Sequence, residues 1–409
     1  NHRTCSTWGR EHFKTFDGDV YQFPGMCEYK LVKTCDESQN SQTFSMDIKR
    51  KENPGNSTIR FVVVKINSYL YNITKQNKTI IQLPYFQAGV RLEKTEFYLK
   101  LYSQVGITVM WYNDDAVMVE IDDEYANRIC GLCGDFNGQQ ISPITFGNGW
   151  KTASPINCED LTEAVQTSGK TENMTDSCKE FEIFCKDLFK NESWSSCIPL
   201  IHPEPYIQAC VKDMCHCSNL NGSCVCSTLS EFSRQCSHAG GQPPNWRTPK
   251  LCAKHCPPTM VYDEYGSPCI NTCRFPDTSL VCEDHNIDGC FCPPETVLDD
   301  ISTGSCIPLS ECPCKHDKVY KSNEVYQERG ENCTCIAGKW SCESLQMHAT
   351  CSVEQGSYIT TFDGKDFTFH GDCDYTLAKV NSKVNESMPP TTLKIHLNRD
   401  KNNVSVKLQ

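Results

Sequence analysis

The sequence predicts a mainly β fold carrying small α and disulfide-rich modules, and three observations lead there. Residues 58 to 121 alternate branched or aromatic side chains with polar ones in short runs. Thirty cysteines among 409 residues fall unevenly: Cys5, Cys27 and Cys35 precede Cys130, and the other twenty-seven lie from Cys130 to Cys373. Near Cys178 the apolar period changes from two to three and four.

Each element follows in chain order. The runs TIRFVVVKI, SYLYNIT, GVRLEKT, FYLKLYS, GITVMWY and AVMVEID read as strands with Gly, Asn and Asp at their turns, which predicts an antiparallel sandwich over residues 1–158. The cysteines of CGLCGDFNG close it, and FGNGW at Phe146 to Trp150 ends it. Over 172–252, Cys178, Phe181, Cys185 and Leu188 recur at helical steps, as do Tyr206, Cys210 and Met214. Thr228 with Glu231 reads as a capping box before a third helix carrying Phe232 and Cys236. Irregular loops are the competing reading for this stretch. Residues 253–314, with CPP, GSPC, NTC, GCFCPPETVLDD and TGSC, lack apolar periodicity and predict a loop module held by disulfides. A short trailer over 315–350 contains CTCIAGKWSC.

Cys5 to Leu31 and Cys351 to Leu377 share one pattern, with TFDG ten residues after the first cysteine in both. Residues 351–409 are therefore expected to begin a second copy of the sandwich that cannot complete itself alone, and duplicated large modules favour a mechanical over a catalytic role. The cysteine content predicts secretion through an oxidising pathway. Sequons at Asn56, Asn72, Asn77, Asn173, Asn191, Asn221, Asn332, Asn385 and Asn403 agree and are expected to mark exposed loops. No run of about 18 apolar residues occurs, so no membrane insertion is expected. The start lacks a charged-then-apolar leader, so a signal peptide is expected to have been removed or never included. A net charge of −12 without a basic cluster argues against nucleic acid. Protonating all eleven histidines would bring that charge to −1, so mild acid should nearly abolish self-repulsion.

CSTWGREHFKTFDGDVYQFPG, CGLCGDFNG, EFSRQCSHAGGQPPNWRT and DGCFCPPETVLDD together resemble the first von Willebrand D assembly of secreted gel-forming mucins, over residues 1 to about 350. The remainder resembles the start of the second assembly. This resemblance implies a von Willebrand D β-sandwich, an eight-cysteine helical module, a trypsin-inhibitor-like module and a small β-extension, in that order. It also implies an extracellular polymer-forming glycoprotein that self-associates with other D assemblies in the acidic, calcium-rich late secretory pathway, before disulfide-linked polymerisation into a mucus gel.

Asp17 in TFDG, with Asp135, Asn137 and the Gln139 carbonyl in CGDFNGQ, supplies alternating oxygens beside a glycine turn, the chemistry calcium requires. The alternative is that these side chains only make turn hydrogen bonds. The resemblance implies calcium, although the family's further acidic ligand is missing where Gln140 runs into Ile141-Ser142-Pro143. Cys130 and Cys133 have the CxxC form of thiol oxidoreductases, but the acidic Asp135 nearby opposes a thiolate and favours two structural disulfides. Met110 and Met118 flank a turn symmetrically, which would set two soft sulfurs opposite each other, and the resemblance associates them and His2, His238 and His285 with copper. A third methionine expected of that site is Ile287 here, and the competing reading is core methionines with surface histidines. His12, His216, His316 and His370 could sense pH collectively. Protease inhibition by the 253–314 module competes with a spacer role, with no reactive-site residue identifiable.

Overall fold

The computed structural model of the chain describes residues 4–35, 42–53, 56–74, 85–94, 97–139, 150–152, 166–167, 176–217, 223–279, 286–328, 330–345, 349–355, 357–371, 373–379, 394–400 and 403–408. Two compact units result, Asn1–Cys312 and Pro313–Gln409.

The first unit opens with two antiparallel sheets. Strands β1 (Thr4–Trp8), β2 (His12–Lys14), β3 (Val20–Gln22), β4 (Glu28–Thr34), β5 (Phe44–Asn53), β6 (Asn56–Ile66), β7 (Tyr69–Thr74), β8 (Tyr85–Gln87), β9 (Val90–Lys94), β10 (Tyr98–Ser103), β11 (Ile107–Tyr112), β12 (Val117–Ile121), β13 (Ile129–Cys130) and β14 (Gln166–Thr167) follow the chain. Nine of them order as β14-β3-β2-β1-β12-β11-β10-β9-β8 and five as β13-β4-β5-β6-β7. Between the sheets lies a core that includes Phe13, Tyr29, Val62, Leu101 and Val119. Arg50 is a charged intruder on the buried face of β5, where it donates to Thr7 at 2.5 Å and lies over Phe13.

The outer face of the nine-stranded sheet is also covered. Trp8, Met110, Tyr112 and Met118 leave that face to join Phe189, Trp194, Tyr206 and Phe232 in a second core. Those partners come from α1 (Asp176–Phe189), α2 (Glu204–Cys215) and α3 (Cys226–His238), with the short helix Glu192–Trp194 between α1 and α2. Disulfides Cys178–Cys215 and Cys185–Cys210 staple α1 to α2, and Cys197–Cys236 and Cys226–Cys252 tie α3 to its surroundings. The expected capping box is corrected by this structure. Helix α3 begins at Cys226 with Val225 before it, so Thr228 and Glu231 lie within the helix and are fully buried, and their side chains bond to Asp213 of α2 and Ser6 of β1 instead of the helix end.

Two small ladders, Val261–Gly266 with Ile287–Phe291 and Thr296–Leu298 with Cys306–Pro308, build the next module. Cys256–Cys290, Cys273–Cys312 and Cys292–Cys306 hold it. In the second unit, Val325–Glu328, Glu331–Ile336 and Lys339–Ser344 form a three-stranded sheet locked by Cys314–Cys335 and Cys333–Cys342. Strands Ser352–Glu354, Tyr358–Thr360 and Asp366–Thr368 repeat the β1–β3 meander. No helix among the described residues is long and apolar enough to cross a membrane.

Candidate functional site

The two halves of the proposed calcium loop, 118 residues apart in sequence, are brought together by backbone hydrogen bonds. CGLC is stitched to β4 through Leu132 N–H to Lys30 O at 3.1 Å and Cys133 N–H to Leu31 O at 3.0 Å. Gly131 makes this approach possible, because at φ +134 any Cβ would stand 2.5 Å from the Leu31 carbonyl. Phe16 N–H then donates to Cys133 O at 3.0 Å and seats the TFDG turn against CGDFNG. There Asp17 Oδ1 accepts from Gly138 N–H at 2.7 Å, Asn137 Nδ2 donates to Asp135 Oδ2 at 2.8 Å, and Gln139 N–H donates to Asn137 Oδ1 at 2.7 Å.

The turn hydrogen bonds of the competing reading are therefore present, but they leave a remainder. Asp17 Oδ2 and Asp135 Oδ1 are both shut off from solvent without any hydrogen-bond partner. A desolvated carboxylate oxygen with no donor is costly, and a hard cation compensates it. The donor set is all oxygen, which fits calcium. Gln140 to Pro143 lie outside the described residues.

The CxxC sulfurs belong to separate bridges, Cys130 with Cys35 and Cys133 with Cys5. Neither is a thiol, so no exchange chemistry starts here. The cluster Glu331, Cys333 and Cys342 likewise offers no thiolate, since its two sulfurs bond each other.

The copper candidates are only partly described, since His2 and His285 lie outside the described residues. Met110 stands directly opposite Met118 in the β11–β12 ladder, and both are buried in the second core together with Ile287. Tyr112 Oη donates to Met110 Sδ at 3.4 Å. His238, at the end of α3, puts Nδ1 3.7 Å from Glu120 Oε2 of β12. Among the candidate pH sensors, His12 is buried rather than superficial and holds Asp213 Oδ1 at 2.7 Å, whereas His316 stacks on Tyr326 at 4.3 Å and meets Glu328 at 3.0 Å. The sequons Asn77, Asn173, Asn221 and Asn385 lie outside the described residues. The expectation that sequons mark loops is corrected for Asn56, Asn72, Asn332 and Asn403, which stand in strands.

Sequence reasoning missed the polar clamp between the modules. Asp213 of α2 receives His12 on one oxygen and Thr228 Oγ1 at 2.7 Å on the other, and Trp8 Nε1 donates to Thr228 Oγ1 at 3.1 Å. Ser6 Oγ donates to Glu231 Oε1 at 2.5 Å, and Thr4 Oγ1 donates to Gln235 Oε1 at 2.9 Å. Burial pushes the Glu231 carboxyl up, against the opposing pull of Arg234. Burial also lowers Lys14, whose Nζ donates to Thr4 O at 2.8 Å, to about 8. Arg234 lies 3.8 Å over the Tyr112 ring, 2.5 Å from Asp114 on the β11–β12 turn and 3.8 Å from both Glu231 and Asp288. Arg247 joins Glu264 at 2.5 Å, Ser230 Oγ at 2.7 Å and Cys252 O at 2.9 Å. Three modules thus share one buried network. Its only sequence trace is a polar helix, STLSEFSRQCSH, that has no room for an exposed face.

The von Willebrand factor type D domain family matches residues 5–143 and 351–409, the C8 domain family residues 184–253, and the trypsin inhibitor-like cysteine-rich domain family residues 256–312. Mouse Mucin-2 is 44% identical over 407 residues, covering 95% of this chain and 9% of that protein. Human Mucin-2 is 43% identical over 399 residues, covering 92% and 7%, and human Mucin-5AC is 38% identical over 397, covering 93% and 7%. The chain thus spans less than a tenth of each of these three relatives. The matched domain families are structural rather than enzymatic, and twelve disulfides among the described residues belong to an oxidising, extracellular setting. With a sandwich, a disulfide-stapled helical module and a loop module in this order, followed by a second type D start, the chain belongs to the von Willebrand D assemblies of secreted gel-forming mucins.

Proposed function

We propose that this chain orders mucin chains before they are covalently polymerised, packing against other D assemblies in a calcium- and acid-dependent manner so that a disulfide-linked mucus gel forms. The observation that carries this reading is the pair of buried, partnerless oxygens on Asp17 and Asp135, with Asn137 bonded to Asp135 beside them. Calcium held there would tie the TFDG turn to the CGDFNG loop and stiffen the module. Acid contributes in two ways. It reduces the net charge from −12 towards −1, and it favours protonation of Glu231 and Glu264 in the clamp, whose carboxyls burial holds above their ordinary range.

Light scattering at neutral pH and near pH 6, each with calcium or chelator, tests the reading. Growth in particle mass only in acid with calcium is expected, and a monomer under all four conditions would overturn it for this chain.

A copper-binding role is the second reading, favoured by the convergence of three segments. Thr4 lies opposite Glu120, His238 approaches Glu120, and Ser237 Oγ donates to Asn286 O at 2.6 Å, so Thr4 and Asn286, the first described residues after His2 and His285, both lie by the end of α3 that carries His238. Imidazoles suit copper(II), and replacing His238 by alanine should abolish tight copper(II) binding. Unchanged binding would exclude the three-histidine site.

A further inference from the structure

The outer face of the five-stranded sheet carries its apolar and its charged residues apart. On β7 the inward residues Tyr71 and Ile73 fill the core, while Leu70 and Asn72 face outward and are exposed. The register sets Asn72 directly opposite Val63, with Leu70 opposite Lys65 and Thr74 opposite Phe61. Val63 and Phe61 are half-buried on this same face. One strand further in, Asp47 is opposite Val63 and pairs with Lys30 of β4 at 2.5 Å, so the face becomes ionic towards the middle of the sheet. Phe61, Val63 and Leu70 thus form an apolar strip along β6 and β7, with Asn72 of the Asn72-Ile73-Thr74 sequon at its centre.

We propose that Asn72 carries an N-linked glycan whose first sugars lie over Phe61, Val63 and Leu70 and exclude this face from association between chains. In the attachment step the Asn72 amide nitrogen bonds to the anomeric carbon of an oligosaccharide carried on a lipid diphosphate. The carbon–oxygen bond to the diphosphate breaks, and the amide nitrogen loses one proton. A sugar ring has apolar C–H faces that cover side chains of this size and hydroxyls that return a wet surface to solvent. The other described sequons with defined side chains differ. Asn191 spends its carbonyl on the Ser193 N–H at 3.1 Å at the start of a short helix, and Asn332 buries its carbonyl oxygen in a central strand. Asn72 is the one whose neighbours would gain a cover. This inference does not depend on calcium or acid.

The test uses the whole chain secreted from a glycosylating cell. Peptide mass spectrometry should find Asn72 occupied. Enzymatic release of the glycan from the folded protein, and the Asn72→Gln variant, should each raise the fluorescence of an apolar-surface dye at neutral pH by about threefold or more. Adding Leu70→Ser and Val63→Thr to Asn72→Gln should return it to the parent level. An unmodified Asn72 would overturn the proposal, as would dye binding unchanged by removing the glycan. Cross-linking between chains through Lys65 in the fully glycosylated protein would overturn it too, by showing that the strip seats a second copy.

Discussion

Arg234→Met probes the seam where the sandwich, the helical module and the loop module meet. Arg234 keeps 3% of its side-chain exposure, contacts Asp114 at 2.5 Å, and lies 3.8 Å from Glu231 and from Asp288. Methionine preserves the contact with the Tyr112 ring but leaves these carboxylates facing one another without their shared cation. Breaking a buried ion pair from one side costs about 3–5 kcal/mol, because the remaining charge stays desolvated. At roughly 2–4 °C per kcal/mol for a unit of this order of size, the midpoint of unfolding should fall by about 6–20 °C. Trp8 and Trp194 are buried in the same core, so their fluorescence in a denaturant titration with disulfides intact reports the loss directly. Adding Asp114→Asn removes one of the stranded charges and should recover about 1–2 kcal/mol. A single variant within about 1 kcal/mol of the parent would refute the view that this seam is fastened electrostatically.

Three further outcomes follow from the same interior. Burial raises Glu231 above its ordinary 4.5, so its contribution to stability is complete below that value and is lost as pH rises through the folded one; Glu231→Gln should flatten a decline of at most about 1.4 kcal/mol per pH unit, read from denaturant midpoints between pH 5 and 7. Lys14 has the opposite sign, because burial holds it near 8 against 10.5 unfolded: stability should climb between those values by up to about 3 kcal/mol, and Lys14→Met should remove the climb. Native protein treated with an alkylating reagent should show no label at Cys130 or Cys133, since each is bridged to a different partner; labelling at both would reopen a redox role.

What could be read from the sequence depended on whether a strand has one wet face. Strands β6, β7 and β9 alternate because one face meets the core and the other is at least partly polar, and the period-two pattern found them; β11 and β12, covered on both faces, were found through their branched and aromatic runs between turn residues. Strand β1 shows no such pattern, since all of TCSTW is buried, with Cys5 in the sandwich core and Trp8 under the helices. Alternation also fails on β5, where the buried position after Phe44, Met46 and Ile48 is Arg50. The capping-box error has the same origin. Thr228 and Glu231 have the spacing of a helix start, but the helix begins two residues before Thr228, and their side chains turn to Asp213 and Ser6, partners that no local pattern reveals. The TFDG and CGDFNG turns that meet at Asp17 and Gly138 were legible as a pair because each is a short contiguous motif, whereas the clamp draws scattered residues from β1, β2, α2, α3 and the β11–β12 turn.

The repeated motif allows the calcium reading to be tested within one molecule. Asp17 and Asp363 occupy the same place in TFDG, yet only the first has CGDFNG folded against it. If calcium binds as proposed, an Asp before Gly in a turn is not enough: the cation would need the second carboxylate and the carbonyls that the CGDFNG loop provides, because a single exposed carboxylate keeps its water. Equilibrium titration of this chain should give one tight calcium site rather than two. Asp17→Asn and Asp135→Asn should each remove it, and Asp363→Asn should leave it unchanged. Two equivalent sites, or loss of binding on changing Asp363 alone, would mean that the TFDG turn holds the ion without its partner loop and that the buried oxygens of Asp17 and Asp135 need another explanation.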